Sequence, residues 1–201
     1  MSSNSSKYKV GIIGKGHVGG ALSRGLERAG HQVRSVGNDP KGVVDTANWA
    51  EIVILAVPYQ SIDDALKEMG RDVLNGKILL DATNVVTPEA VAALGSKSGA
   101  EAVQSKVPGS KVVKAFNTHF AQNMDTGKVG GEQITLLVAG DDKDAKGKVL
   151  QLGRDIGFDV VDAGPLQNAR LLESLGRLAI QLGYPLGLGT SIGFKLVRAR
   201  S

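Results

Sequence analysis

The chain has 201 residues, which suits one domain, or one domain with a small appendage, and is ample for a buried core. With 42% hydrophobic and 22% charged residues it reads as a soluble globular protein, and no apolar run is long enough to cross a membrane. The absence of cysteine excludes disulfides and thiolate metal sites; the formal charge of +4 is interspersed along the chain, which speaks against nucleic acid and mildly favours an anionic cofactor or substrate.

Residues 1–6 are polar and have no apolar core, so a disordered lead is expected rather than a signal peptide, in keeping with a cytoplasmic protein. The run from Lys7 then enters a glycine turn in which Gly14, Gly16 and Gly19 take the spacing G-x-G-x-x-G. A buried strand before this turn and an amphipathic helix after it, from about His17 to Ala29, make it a dinucleotide fingerprint. Gly14 permits the sharp turn, Gly16 lets backbone approach a pyrophosphate, and Gly19 lets the helix pack on the strand. The free N–H groups at the helix start would face the anion.

A second strand fits His31 to Val36, followed by the turn Gly37-Asn38-Asp39-Pro40. The adenosine ribose is read at the end of this strand. Asp39 is placed to accept from the 2′-hydroxyl of NAD, and Asn38 and Lys41, with Arg34 behind them, to hold the 2′-phosphate of NADP. Asp39 has a second reading as a turn-former beside Pro40. A short helix over 43–50 brings Trp49 against the sheet as a packing residue. Ile52 to Val57 is apolar throughout, a strand buried on both faces, and Pro58-Tyr59 lies at its carboxyl end. There Tyr59 either touches a cofactor or caps the sheet edge.

Ser61 to Asp64 predicts a capping box for a helix to about Met69. Further strands are expected at Lys77–Leu80, Lys111–Phe116, Gln133–Ala139 and Phe158–Val161, and further helices from Thr87-Pro88, over Ala100–Val107, from Asp141-Asp142 to Ile156, and over Gln167–Leu182. This alternation predicts an α/β, Rossmann-type, doubly wound and mostly parallel sheet over residues 7–165, with a C-terminal helix and tail over 166–201 in the same compact unit. The tail is glycine-rich but apolar, so it should pack on the body or on a partner subunit. Of the three histidines, His17 lies in the glycine turn near phosphate and His31 reads as structural. His119 is placed to meet a substrate or to be a plain loop residue. They lack metal-ligand spacing. Arg170 and Glu173 stand one helical turn apart and read as a surface pair or as a buried or interface feature.

Three segments resemble one family, the NADP-dependent oxidoreductases that include the archaeal NADPH:coenzyme F420 oxidoreductase and the cytoplasmic domain of the STEAP metalloreductases. They are GIIGKGHVGGAL at the glycine turn, VVKAFNT (Val112–Thr118) with DATN (Asp81–Asn84), and DAGPLQNARLLESL (Asp162–Leu175) backed by GLGTSIGFKL (Gly187–Leu196). The resemblance runs from about Tyr8 to Val197. It implies that Gly14, Lys15, Gly16, His17, Val18 and Gly19 hold the pyrophosphate and that Asn38, with Lys41, reads the 2′-phosphate. Val57, Pro58 and Tyr59 would flank the cofactor, and Asn84, Asn117, Thr118, His119 and Phe120 would surround the nicotinamide and acceptor. It also implies hydride transfer between NADP(H) and a flat acceptor, coenzyme F420 first and FAD or FMN second. No protein nucleophile or metal is needed, because the cofactors carry the chemistry. One departure is the turn Gly37-Asn38-Asp39, which lacks the family's serine–arginine pair and so leaves NADP against NAD open. A flavin-dependent ferric reductase and a non-catalytic NADP(H) sensor are the other readings. The apolar C-terminal face predicts a homodimer.

Overall fold

The computed structural model describes residues 6–199, so nearly all of the polar lead lies outside the described residues. β1 (Lys9–Ile13) runs into the glycine turn and α1 (His17–Arg28) leaves it. β2 (Gln32–Val36) is followed by α2 (Pro40–Trp49), which begins at Pro40 rather than Val43 because proline fits the first helical position, where no N–H is required. β3 (Ile52–Leu55) passes through a 3₁₀ turn, Tyr59–Ser61, into α3 (Ile62–Met69) and α4 (Arg71–Leu74). The capping box expected at Ser61 does not form. The 3₁₀ turn delivers Ser61 at φ −93°, ψ 1° instead of extended, and its side chain accepts no cap hydrogen bond.

β4 (Ile78–Asp81), α5 (Pro88–Leu94), α6 (Gly99–Lys106) and β5 (Lys111–Lys114) follow. Thr87 caps α5 by accepting from the Ala90 N–H, as its sequence predicts, and Ser98 with Glu101 forms a full capping box on α6. After α7 (Ala121–Met124) the chain makes a small hairpin, β6 (Lys128–Val129) and β7 (Glu132–Gln133), before β8 (Thr135–Gly140). The single strand expected over Gln133–Ala139 is thus divided. Gly130 and Gly131, at φ 57° and 86°, supply the two left-handed residues of a tight hairpin turn. α8 (Lys143–Ile156), β9 (Asp159–Asp162), a second 3₁₀ turn (Leu166–Asn168) and α9 (Ala169–Gly183) complete the elements.

The seven-stranded sheet has the order β2-β1-β3-β4-β5-β8-β9. The first five strands are mutually parallel; β8 joins β5 antiparallel, and β9 is parallel to β8. Successive strand residues feed two cores. Ile12, Ile54, Leu80 and Val113 face the layer that holds Leu22 of α1 and Val149 of α8. Ile13, Val53, Leu79 and Val112 face the layer of α2, α3 and α6. Burial on both faces explains why the inner strands read as unbroken apolar runs. The strand order reverses between β1 and β3, and the crevice at their carboxyl ends is where an open α/β sheet takes its ligand.

The tail returns to the body after α9. Thr135 N–H donates to the Phe194 carbonyl (2.9 Å), Leu196 N–H to Thr135 Oγ1 (2.9 Å), and Asn123 Nδ2 to the carbonyls of Thr190 and Ile192. Its apolar side chains are another matter: Tyr184, Leu186, Leu188 and Val197 remain exposed.

Candidate functional site

The glycine turn has the geometry its spacing demands. Gly14 sits at φ +119°, and a Cβ there would lie 2.2 Å from the Ala56 carbonyl oxygen. A Cβ on Gly19 would lie 1.9 Å from the Gly14 carbonyl oxygen, so α1 packs on the turn only because this residue has none. Gly16, by contrast, has open space above it. No side chain caps the start of α1 and no acidic residue stands in its first turn, which leaves its dipole end available to an anion.

Two adjoining cavities run from this turn along the carboxyl ends of the strands. The larger, about 790 Å³, is lined by Lys15, Gly16 and His17 on one side and by Phe120, Gln122 and Tyr184 on the other. The smaller, about 250 Å³, shares His17, Phe120 and Tyr184 and is floored by Asn84, Asn117 and His119. Val18 and Thr118 line it too. Residues as far apart in the chain as Lys15 and Tyr184 are thus brought to one cleft. Phe120 and Tyr184 meet edge to face at 5.7 Å and wall it.

The remaining residues singled out from sequence lie outside these two cavities, although the Val57 backbone abuts the glycine turn, its N 3.3 Å from where a Gly14 Cβ would be. Val57, Pro58 and Tyr59 line neither cavity. Tyr59 packs against the start of α6, and burial, followed by the Glu173 and Asp81 carboxylates, raises its phenol above the usual range. Asn38, Asp39 and Lys41 are exposed at the end of β2. The Asp39 carboxylate is folded over the first turn of α2, 2.6 Å from where a Gly42 Cβ would be, without making a cap hydrogen bond. Arg34 stacks on the Trp49 ring at 4.2 Å, which fixes the guanidinium over α2 while leaving its in-plane N–H groups free. Lys15 comes nearer to this turn: its stem lies 3.9 Å from where a Gly37 Cβ would be.

His31 is structural. Its Nδ1 accepts from Tyr8 N–H (3.2 Å), which places the neutral ring's proton on Nε2, facing Asp155 Oδ2 at 3.1 Å. His119 packs against Phe158 with ring centroids 5.0 Å apart. Burial pushes its imidazolium down to about 4, opposed only in part by the nearby Thr135 backbone.

Beneath the cleft lies a group that the sequence did not single out. Lys114, at the end of β5, is wholly buried, with its Nζ 2.9 Å from Asp81 Oδ2, 3.2 Å from Glu173 Oε1 and 2.7 Å from the Thr83 carbonyl. Burial pulls the Lys114 ammonium down, but the Asp81 and Glu173 carboxylates outweigh it, and the net direction is upward. Glu173 also accepts from the Gly99 and Ala100 N–H groups at the start of α6. Arg170 therefore does not pair with Glu173; it forms a two-pronged bond with Glu101 (2.8 and 2.6 Å) and holds that carboxyl down at about 2. A lysine in the apolar run VVKAF was the available signal, but its partners stand 33 and 59 positions away, out of reach of any local pattern.

Among the described residues, the buried side-chain atoms left without a partner are Thr83 Oγ1, Asn117 Oδ1 and both ring nitrogens of His119. All belong to the segments that follow β4 and β5, and Asn117 and His119 line the smaller cavity. Unpaired polar atoms, an uncapped helix start and the space over Gly16 together fit a dinucleotide lying across the turn with a polar ring at its far end. No group of three or more metal-ligating side chains occurs among the described residues, and no helix there is long and apolar enough to cross a membrane.

Comparison with known proteins agrees with this geometry. The family model for NADP oxidoreductase, coenzyme F420-dependent, matches residues 42–85, and a Rossmann-like domain model matches residues 2–43. The F420-dependent NADP reductase of Methanothermobacter thermautotrophicus is 31% identical over 173 residues, which cover 81% of this chain and 72% of that one. The chain belongs to the F420-dependent NADP reductase family. A crystal structure of a candidate F420-dependent NADP reductase from Arthrobacter sp. FB24 superposes with a TM-score of 0.84 at 30% identity, covering 95% of this chain and all of that one. Rat metalloreductase STEAP3 is 30% identical over 180 residues, 83% of this chain, but the match spans only 36% of that longer protein. The shared part of STEAP3 is therefore about a third of its length, while the resemblance to the F420-linked reductases extends over most of both chains.

Proposed function

We propose that the protein transfers a hydride between NADP(H) and the deazaflavin coenzyme F420. The carrying observation is the cleft itself, which joins the glycine turn to a polar pocket in a chain that matches F420-linked reductases over most of its length. When bound, the nicotinamide and deazaflavin supply the hydride chemistry between them. The protein's part is to hold and to shield. Gly16 and the start of α1 take the pyrophosphate, and Asn38, Lys41 and Lys15 gather at the 2′-phosphate. Asn84 and Asn117 present amides to the nicotinamide. Phe120 and Tyr184 exclude water from the face where the acceptor stacks, and orientation in a dry site supplies the acceleration. A second copy of the chain covers the exposed apolar side chains of α9 and the tail, Leu171, Leu178, Tyr184, Leu186 and Leu188, and makes a homodimer.

The test is stopped-flow reduction of coenzyme F420 by NADPH and by NADH, with FMN and FAD alongside. Rapid F420 reduction with NADPH supports the reading. Preference for NADH makes Asp39 a ribose reader. Turnover of FMN or FAD alone points to a flavin reductase, and dinucleotide binding without turnover of any acceptor points to a sensor.

A further inference from the structure

We propose that α9 is the orienting element of the nicotinamide subsite, with Glu173 and Gly176 as positioning residues that fix the side-chain amides of Asn84 and Asn117. This rests on the dinucleotide reading above.

The amide orientations follow from what each neighbour can do. Asn84 Nδ2 donates to the Asn117 carbonyl at 2.7 Å, and a carbonyl can only accept, so Asn84 Oδ1 is fixed as an acceptor. Asn117 Nδ2 donates to that oxygen at 3.1 Å and to the Leu172 carbonyl at 2.9 Å. Both amides therefore have one orientation each, and Asn117 Oδ1 is left as the unpaired acceptor beside the cavity. Leu172 belongs to α9, so the helix backbone takes part in setting that orientation.

Two further contacts lock α9 in place. Glu173, the next residue, bonds the start of α6 and Lys114. Lys114 donates to the Thr83 carbonyl while Asp81 Oδ1 accepts from the Thr83 N–H (2.8 Å), so the backbone leading into Asn84 is clamped on both of its polar groups. The links close a ring from α9 through β5 and the turn after β4, across the asparagine pair and back to α9. Gly176 completes the fit: a Cβ there would lie 2.7 Å from Asn84 Oδ1 and 2.8 Å from Asn117 Nδ2. The residue before Asn117, Phe116, is held at φ 68°, the one non-glycine residue at positive φ among those described. Such strain persists where its surroundings over-determine the backbone. A buried ion cluster adds little stability over a packed apolar core, and its retention is better explained by the single geometry it enforces.

Equilibrium binding decides the matter with two probes, NADP⁺ and 2′,5′-ADP, which lacks the nicotinamide. The proteins are the parent, Glu173→Gln, which sets a donor against donors, and Gly176→Ala, which crowds the asparagines and leaves every charge in place. Both variants should bind 2′,5′-ADP within about twofold of the parent and NADP⁺ about tenfold more weakly, the loss of roughly one buried hydrogen bond. Equal losses for both probes, or undiminished NADP⁺ binding, would overturn the proposal. So would a parent that binds NADP⁺ no more tightly than 2′,5′-ADP. A parent that binds neither of these probes, nor NAD⁺ in the same titration, refutes the dinucleotide reading instead; one that binds NAD⁺ alone is tested with NAD⁺ against 5′-AMP. Should neither variant fold, the side-chain amide NMR signals of Asn84 and Asn117 in the parent give the answer: they should move with NADP⁺ and stay with 2′,5′-ADP, and stillness with both refutes the inference.

Discussion

Lowering the pH should destabilise the protein well before its carboxylates titrate, and His119 should be a main cause. Its ring is buried with no well-formed hydrogen bond, only the Thr135 backbone nearby, and its folded-state pKa lies at about 4 against 6.5 in an unfolded chain. The folded protein thus keeps the ring neutral while the unfolded chain takes up a proton. The contribution is complete above pH 6.5 and is lost as the pH falls from there towards 4. Each pKa unit is worth about 1.4 kcal/mol, so the full loss is about 3 kcal/mol, of which about 2 kcal/mol is spent between pH 6.5 and pH 5. That is a large part of a typical domain's stability. His31, also lowered by burial against the opposing pull of Asp155, adds in the same direction. Glu101, held at about 2, matters only below its ordinary 4.5. Urea unfolding at pH 7.5 and pH 5.0, for the wild type and His119→Leu, separates these contributions. The variant should lose about 2 kcal/mol less than the wild type over that interval. Identical losses would mean that His119 titrates freely in the folded protein, and the reasoning from its burial would fail.

Two further outcomes are expected. Lys15→Ala should weaken NADP⁺ about tenfold and leave NAD⁺ unchanged, because the lysine stem lies over Gly37 at the ribose end; isothermal titration of both dinucleotides checks it, and equal weakening would move Lys15 to the pyrophosphate. Sedimentation should give a dimer, and Leu178→Glu, on the exposed face of α9, should give a monomer; a monomeric wild type removes the second copy from the proposal.

The parts of this fold that were legible in sequence are those set by local rules. Gly14, Gly16 and Gly19 declare their turn because each answers a steric demand within a few residues. Thr87-Pro88 declares a helix start for the same reason. Ser61 misled because capping depends on the backbone that enters the helix, and a 3₁₀ turn altered it. The hairpin at Gly130-Gly131 carried a proper signal, two glycines between short polar strands, that was masked by the stronger apolar run behind it. The antiparallel entry of β8 and the meeting of Asp81, Lys114 and Glu173 had no local signature. They depend on which strand lies beside which, and on a helix that returns over the sheet from far along the chain.

That return also explains why the unpaired polar atoms are where they are. β8 and β9 run against the first five strands, so their carboxyl ends point away from the glycine turn and cannot close the cleft. α9 closes it instead, and its approach through Gly176 buries the loop after β5 before all of that loop's polar atoms have found partners. An unpaired buried donor or acceptor costs about 1–3 kcal/mol. Elsewhere the protein satisfies such groups with care: Lys77, for example, donates to three carbonyls at and beyond the end of α2. A chain that leaves Asn117 and His119 unpaired in the lining of the smaller cavity has kept polar groups in place that a bound partner can satisfy. Asn117 Oδ1 has the best-defined direction of them, since its amide donates both to Asn84 Oδ1 and to the Leu172 carbonyl, and under the proposal above it is the atom that would meet the nicotinamide.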